Sequence, residues 1–147
     1  MSDATEPDTT DTTGIAFVCV RNAGRSQMAA AFAERERDER GLDYEIVTGG
    51  TDPADAVHPE VLESMRDVGL DLADRVPRAG SEAELAACDY VATMGCSTLT
   101  LPDRVDARDW ALDDPGGKPP EEVARIRDEV ERRVVALVDE FVDETDA

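Results

Sequence analysis

Lysine, histidine and aromatic residues are scarce in this 147-residue chain. Lys118 is the single lysine, so arginine supplies nearly all of the positive charge, and the formal net charge is -20. A chain with so little basic surface does not attract nucleic acid, which excludes a nucleic-acid-binding role. Aromatic residues make up 4% of the chain, so a hydrophobic core has to be built from aliphatic side chains and methionine.

The acidic residues are spread through the chain and do not form one cluster. Such an excess is typical of adaptation to molar salt, where a screening length of about 3 Å removes most of the self-repulsion. An acidic interaction surface, such as a mimic of nucleic acid, is the alternative reading of the same charge. The even spread favours the first, and we therefore expect the chain to come from a halophile.

Long apolar runs, a leader segment and paired cysteines are also absent. No run approaches the length of a membrane span, and the acidic start, MSDATEPDTTDTTG, is unlike a secretory signal, which predicts a cytoplasmic protein without a membrane partner. Three cysteines, an odd number, argue against a disulfide framework. Because His58 is the only histidine, we expect no Cys/His metal site and no bound cofactor. A position before Pro59 at a helix start favours a capping or surface role for His58.

Strand-like and helix-like segments alternate along the chain. Residues 1–13 are predicted to form a disordered acidic tail, and residues 14–145 a single domain. Strands are predicted at residues 14–20, 44–50, 88–95 and, more weakly, 104–112. Helices are predicted at residues 25–40, 58–72, 81–87 and 119–142. This alternation predicts an α/β fold with a four-stranded parallel sheet flanked by helices.

Local signals define several helix faces and ends. Ser81 and Glu84 have the spacing of a capping box. The second helix is predicted to bury Val61, Leu62, Met65 and Val68. The last helix carries an apolar stripe at Val123, Ile126, Val130, Val134, Leu137 and Phe141.

The segment CVRNAGRS, residues 19–26, joins the first strand to the first helix and separates Cys19 from Arg25 by five residues. So short a loop directs its backbone N–H groups inward, and the following helix adds the positive end of its dipole. A thiol in that field readily loses its proton, because the thiolate is the stabilised form. Arg25 can hold a tetrahedral oxyanion with two parallel donors, and Ser26 can donate a hydrogen bond to the sulfur. The predicted oxyanion-binding residues are Val20, Arg21, Asn22, Ala23, Gly24 and Arg25.

This loop resembles the phosphate-binding loop of the low-molecular-weight protein tyrosine phosphatase family, and CVRNAGRSQMA is similar to its arsenate reductase branch. The likeness continues through TGGTDPADAVHPEVLESMRDVGLDL, YVATMGC and DWALDDPGGK to the last helix. The resemblance implies that Cys19 is the nucleophile and that Arg25 holds the oxyanion. It also implies that Ser26 stabilises the thiolate and that Asp114, before the proline of DDPGG, is the general acid that protonates the leaving oxygen.

The resemblance leaves arsenate reduction and phosphoprotein hydrolysis open, the latter through a cysteinyl-phosphate intermediate. The phosphatase branch typically has tyrosine after the Asp-Pro, where aromatic walls grip the substrate ring. This chain has Gly116 and Gly117 there. A small inorganic ion needs no wall, so we expect an arsenate reductase that acts as a monomer on arsenate or phosphate-like oxyanions. A non-catalytic oxyanion binder or redox sensor is a third reading, against which the complete residue set speaks.

Reduction of arsenate needs a second thiol to resolve the adduct. Cys96 matches the first resolving cysteine of thioredoxin-coupled relatives, but no cysteine follows a few residues later, and Gly24 stands where the loop could carry another. Either Cys96 resolves the adduct and a thioredoxin-like protein recycles it, or a low-molecular-weight thiol attacks the adduct directly. Cys88 is expected to be a buried small residue.

Overall fold

The computed structural model describes residues 13–94 and 101–146 as four strands and four helices. The strands are β1 (Thr13–Cys19), β2 (Tyr44–Gly50), β3 (Tyr90–Met94) and β4 (Asp106–Asp109). The helices are α1 (Arg25–Arg40), α2 (Pro59–Arg66), α3 (Glu82–Ala86) and α4 (Pro120–Asp146). Residues 1–12, which hold nearly all of the predicted acidic tail, lie outside the described residues. The division into a tail and one domain therefore stays a prediction.

The four strands form one parallel sheet in the order β2–β1–β3–β4, which confirms the predicted α/β fold. From β1 the chain first adds β2 on one side and later returns to add β3 on the other. In such sheets ligands bind at the carboxyl ends of the two strands where the order changes direction. Cys19, the last residue of β1, is in register with Met94, the last residue of β3. The fold therefore places Cys19 in the crevice where a ligand is expected.

The side chains of β1 alternate between two hydrophobic clusters. Ile15, Phe17 and Cys19 belong to the larger cluster, which α1, α2 and α4 cover. Ala16 and Val18 belong to the smaller cluster on the other face, beside α3. A central strand of a parallel sheet is buried on both faces, and all five side chains are at most 2% exposed.

Two helices complete the larger face of the sheet. All six residues of the stripe predicted for α4 are buried, which confirms its amphipathic assignment. In α1 the residues from Ser26 to Ala33 are buried all round, because this helix lies between the sheet and α4. Within residues 13–94 and 101–146, no helix combines the length and apolar character that crossing a membrane requires.

Helix α2 is shorter than the sequence periodicity predicted. It ends at Arg66 and not near residue 72, and Val68, expected on its apolar stripe, is 37% exposed. Gly69 adopts a φ of 82°, and the N–H of Leu70 closes the turn on the carbonyl of Met65 at 3.0 Å. A residue without a β-carbon takes up this left-handed conformation at no steric cost, so the glycine terminates the helix.

Candidate active site

The loop between β1 and α1 turns its carbonyl groups outward. The carbonyl oxygens of residues 19–21 accept hydrogen bonds of 2.8–3.2 Å from backbone N–H groups in the segment 51–54. The carbonyl of Ala23 accepts the N–H of His58 at 3.0 Å. Because these peptide units hold their carbonyls on the outside, their N–H groups are left to face the interior of the loop. The geometry is that of a nest for an anion, as the sequence predicted.

Cys19 lies at the base of this nest. Its Sγ is 2.9 Å from the hydroxyl oxygen of Ser26, and the backbone N–H of Asn22 donates to it at 3.2 Å. Helix α1 begins at Arg25, so its unpaired N–H groups and positive dipole end also lie beside the sulfur. Each of these groups directs positive charge density at the sulfur, and the residue is buried, with 2% of its surface exposed.

Asn22 fixes the conformation of the loop from the inside. It is fully buried and has a φ of 53°, a left-handed conformation that asparagine tolerates better than most residues. Its Oδ1 accepts hydrogen bonds from Gln27 Nε2 at 3.0 Å and from the backbone N–H of Arg78 at 2.9 Å. Because two donors point at Oδ1, the orientation of the Asn22 amide is determined.

The amide nitrogen of Asn22 then sets the direction of the hydrogen bond to the nucleophile. It donates to Ser26 Oγ at 2.7 Å and to Thr48 Oγ1 at 2.8 Å. Since the Ser26 hydroxyl accepts from Asn22, its own proton is available to Cys19. The chain of donors runs from Asn22 through Ser26 to the sulfur.

Replacement of this asparagine is therefore expected to damage both stability and oxyanion binding. Asn22→Ala removes four hydrogen bonds and leaves buried donors without acceptors, which costs roughly 2–4 kcal/mol of unfolding free energy. Denaturant unfolding in high salt measures this loss. Thr48→Val, which removes a single partner of Asn22, is the control and should cost about 1 kcal/mol. Equal losses in the two variants would contradict the central role of Asn22.

Arg25 connects the nest to the loop that follows β4. Its Nη1 donates to the carbonyl of Leu112 at 2.9 Å, and its side chain is half-buried. The other predicted cation of the loop, Arg21, is exposed and forms an ion pair with Asp52 at 2.8 Å. Arg25, at the first position of α1, is therefore the better placed of the two to contact an oxyanion in the nest.

Asp114 lies on a turn that packs against the nest. Its Oδ1 accepts the N–H of Gly116 at 2.9 Å, and its side chain is exposed. The next residue, Pro115, is buried against Gly24, where an added β-carbon would come within 2.9 Å of the proline ring. A glycine at position 24 is thus needed for this close approach.

The same turn is held from its other side by helix α2. The N–H of Gly117 donates to Glu60 Oε2 at 2.5 Å, and this bond holds the pKa of the Glu60 carboxyl below its ordinary value. His58 occupies the N-cap position of α2, but its side chain makes no capping hydrogen bond. Nothing in the sequence pattern indicated that Glu60 and His58 contact the Asp114 turn.

Of the two remaining cysteines, Cys88 lies in the described part of the chain. Cys96 lies outside the described residues and follows two positions after Met94, the register partner of Cys19. Cys88 precedes β3, packs against Gly14 and donates from Sγ to the carbonyl of Glu84 at 3.5 Å. Gly14 precedes Cys19 by five positions in β1. Because a strand rises about 3.3 Å per residue, Cys88 is about 16 Å from Cys19, at the amino ends of the strands. As expected, Cys88 is a buried small residue.

Cys88 is expected to resist alkylation in the folded protein. Burial raises the pKa of its thiol to about 11, so it remains protonated at pH 8. Iodoacetamide at that pH, followed by peptide mass spectrometry, should label Cys19 at least about tenfold faster than Cys88. Phosphate should protect Cys19 and leave the slow labelling of Cys88 unchanged. Rapid labelling of Cys88 in native protein would contradict its burial.

The described ranges, 13–94 and 101–146, contain no group of three or more histidine, cysteine or carboxylate side chains that could hold a metal ion. The chemistry available to the described site is that of a thiol, a guanidinium, a hydroxyl and a carboxyl.

Comparison with known proteins agrees with this geometry. A curated protein of Halobacterium salinarum, named "Putative arsenate reductase", is 62% identical over 133 residues, or 88% of this chain and 94% of that protein. A solved arsenate reductase in its phosphate-binding state is 28% identical, with a TM-score of 0.74 over 88% of this chain and 98% of its own. A thioredoxin-dependent arsenate reductase of Corynebacterium glutamicum is 31% identical, with a TM-score of 0.73. The matched region covers 88% of this chain and 61% of the longer Corynebacterium chain.

The resemblance seen in the sequence is confirmed across the domain. The family model for low molecular weight phosphotyrosine protein phosphatases matches residues 14–147, which include the nest, the Asp114 turn and all four helices. The match to a Halobacterium protein is consistent with the adaptation to high salt that the acidic composition predicts. The chain belongs to the low molecular weight phosphotyrosine protein phosphatase family.

Proposed function

We propose that this protein is an arsenate reductase in which Cys19 attacks the arsenic atom. The observation that carries the proposal is the buried Cys19 thiol at the base of a nest of N–H groups, 2.9 Å from the Ser26 hydroxyl. A tetrahedral dianion fits such a nest, and Arg25 supplies the fork of donors for its oxygens. The 62% identity to a protein named for arsenate reduction favours arsenate over a phosphate ester.

The rim of the site also favours a small substrate. A β-carbon on Gly116 would lie 3.1 Å from His58 Nε2, so a ring at that position would displace the histidine. The absence of an aromatic side chain at Gly116 therefore has a steric reason. Gly117 has a φ of 74°, a conformation that disfavours any larger residue.

The first half-reaction forms a sulfur–arsenic bond. The Cys19 thiolate donates an electron pair to As(V), the bond from arsenic to a hydroxyl of the arsenate breaks, and that hydroxyl leaves as water after receiving a proton from the Asp114 carboxyl. Arg25 and the N–H groups of the nest stabilise the charge on the remaining oxygens. Asp114, exposed at the mouth of the nest, is in contact with solvent, from which it can be protonated again.

The second half-reaction reduces arsenic and oxidises two thiols. A second thiolate attacks Cys19 Sγ, a sulfur–sulfur bond forms, and the electron pair of the sulfur–arsenic bond passes to arsenic, which leaves as As(III) arsenite. Two thiols meet this need: Cys96 with a thioredoxin-like protein, or an external low-molecular-weight thiol. One solved relative is named as thioredoxin-dependent, which favours the protein reductant. Gly24, in place of a loop cysteine, favours the external thiol.

Paired assays in high salt test the proposal. Arsenate consumption and arsenite release would be measured with thioredoxin and then with a small thiol, for wild type, Cys96→Ser and the matched control Cys88→Ser. We expect thiol-dependent arsenite release that Cys88→Ser leaves within about twofold of wild type, because Cys88 is remote from the nest. Hydrolysis of p-nitrophenyl phosphate with no arsenite formed would refute the proposal.

A phosphatase acting on phosphoproteins is the second candidate, because the family model is named for that activity. Its cysteinyl-phosphate intermediate would use the same nest and the same Asp114, with water in place of the second thiol. It would require no reductant and would be indifferent to Cys96→Ser. Under either function we expect a cytoplasmic monomer, which sedimentation in high salt would test.

A further inference from the structure

We propose that His58 is a positioning residue for Asp114, acting together with Glu60; this proposal rests on the general-acid role proposed above. His58 links the nest to the Asp114 turn, because its backbone contacts the nest and its ring lies beside the turn. Its N–H binds the carbonyl of Ala23 at 3.0 Å. Its ring lies beside Gly116.

The contact between His58 and the Asp114 turn is close. A β-carbon on Gly116 would lie 3.1 Å from His58 Nε2 and 3.3 Å from Asp114 Oδ1. Both groups therefore border the position that a β-carbon of Gly116 would take. The ring also borders Gly24, where an added β-carbon would be 3.6 Å from His58 Cδ2. The imidazole thus lies where the nest and the turn meet.

Glu60 fixes the turn one residue further on. Its Oε2 accepts the N–H of Gly117 at 2.5 Å. His58 and Glu60 are at the N-cap and the second residue of α2, so one rigid helix end supports consecutive residues of the turn. The N–H of Gly116, the residue beside the His58 ring, donates to the Asp114 carboxyl and holds it.

This arrangement positions one carboxylate oxygen for chemistry. Asp114 Oδ1 is engaged by Gly116, which leaves Oδ2 as the oxygen that can carry the proton to the leaving group. A general acid loses efficiency when it is displaced by about 1 Å, because proton transfer needs hydrogen-bond contact in the transition state. Without the imidazole, the contact between α2 and Gly116 would be lost, and Glu60 would hold the turn only at Gly117.

A double-mutant cycle distinguishes positioning from a general structural role. His58→Gln should lower kcat for arsenate reduction about tenfold and leave KM within about twofold. In an Asp114→Asn background the same substitution should change kcat by less than about twofold, because the acid it positions is already gone. Glu60→Gln should lower kcat by roughly threefold, and Glu63→Gln, an exposed residue of the same helix, should have no effect. An equal loss in both backgrounds, or a change confined to KM, would overturn the proposal.

A measurement without turnover separates this proposal from the proposed function. His58 is the only histidine of the chain, so its ring protons give unique NMR signals. Their chemical shifts should move in Asp114→Asn and in Glu60→Gln, and stay unchanged in Glu63→Gln. If wild type releases no arsenite, the reductase assignment fails, and the same cycle is then run on phenyl phosphate hydrolysis. If the His58 ring protons keep their wild-type chemical shifts in Asp114→Asn, the positioning role is refuted whatever the substrate.

Discussion

Cys19→Ser is expected to abolish arsenite release, with a loss of at least about 10⁴-fold. A serine hydroxyl is un-ionised at neutral pH, so the electron pair that attacks arsenic is lost. The second half-reaction fails for a separate reason. Reduction of arsenic requires a sulfur–sulfur bond to form at this position, and a serine oxygen cannot take part in it. Arsenite release in the presence of excess thiol is the measurement.

The same variant should keep its affinity for the oxyanion. The N–H groups that face the interior of the nest belong to the backbone, and the outward carbonyls of residues 19–21 remain bonded to the segment 51–54. Calorimetric titration of Cys19→Ser with phosphate or arsenate in high salt should give a Kd within about fivefold of the wild-type value. Loss of binding would show that the loop has collapsed, and it would contradict the inference that the backbone N–H groups hold the oxyanion independently of the Cys19 side chain.

Arg25→Lys is expected to lower kcat/KM for arsenate by roughly 10²- to 10³-fold. Lysine retains the charge but lacks the parallel donors that match two oxygens of a tetrahedral anion. It also lacks the planar fork that allows Arg25 to bond the carbonyl of Leu112, at 2.9 Å, while facing the nest. Both phosphate affinity and the chemical step should therefore suffer, which steady-state kinetics and calorimetry together would show.

Arg66→Lys provides the matched control for this substitution. Arg66 is the last residue of α2 and is exposed, so its replacement should leave kcat/KM within about twofold. If Arg25→Lys were as active as Arg66→Lys, charge alone would suffice in the nest. The two-donor contact inferred for Arg25 would then be wrong.

Cys19 and Arg25 illustrate how much of the site the sequence could predict. Both lie in one short segment, and a strand followed by a tight loop and a helix has few conformations available to it. The order of Cys19, Asn22, Arg25 and Ser26 along the chain was enough to predict a nest with a thiol at its base. Local sequence likewise predicted the capping box of Ser81 and Glu84, which α3 contains.

Helix α2 shows where such prediction fails, and Gly116 shows what it leaves out. The predicted helix runs on to Leu72, a buried residue, although α2 ends at Arg66. Burial after a turn can reproduce helical spacing, so periodicity alone misplaced the end. At Gly116, the sequence indicated an absent aromatic wall, and the structure adds that the ring of His58 borders the position that a side chain there would take.

By itself, the sequence determined the parallel α/β fold, the buried stripe of α4 and the nest around Cys19, because each depends on residues close together in the chain. Only the tertiary structure decided which distant residues meet at that nest. It set Pro115 against Gly24, Arg25 against Leu112, and His58 beside the Asp114 turn. These contacts join segments far apart in the sequence, and their geometry follows from how α2 and the turn after β4 pack at the carboxyl edge of the sheet. Periodicity and motif spacing carry no record of that packing.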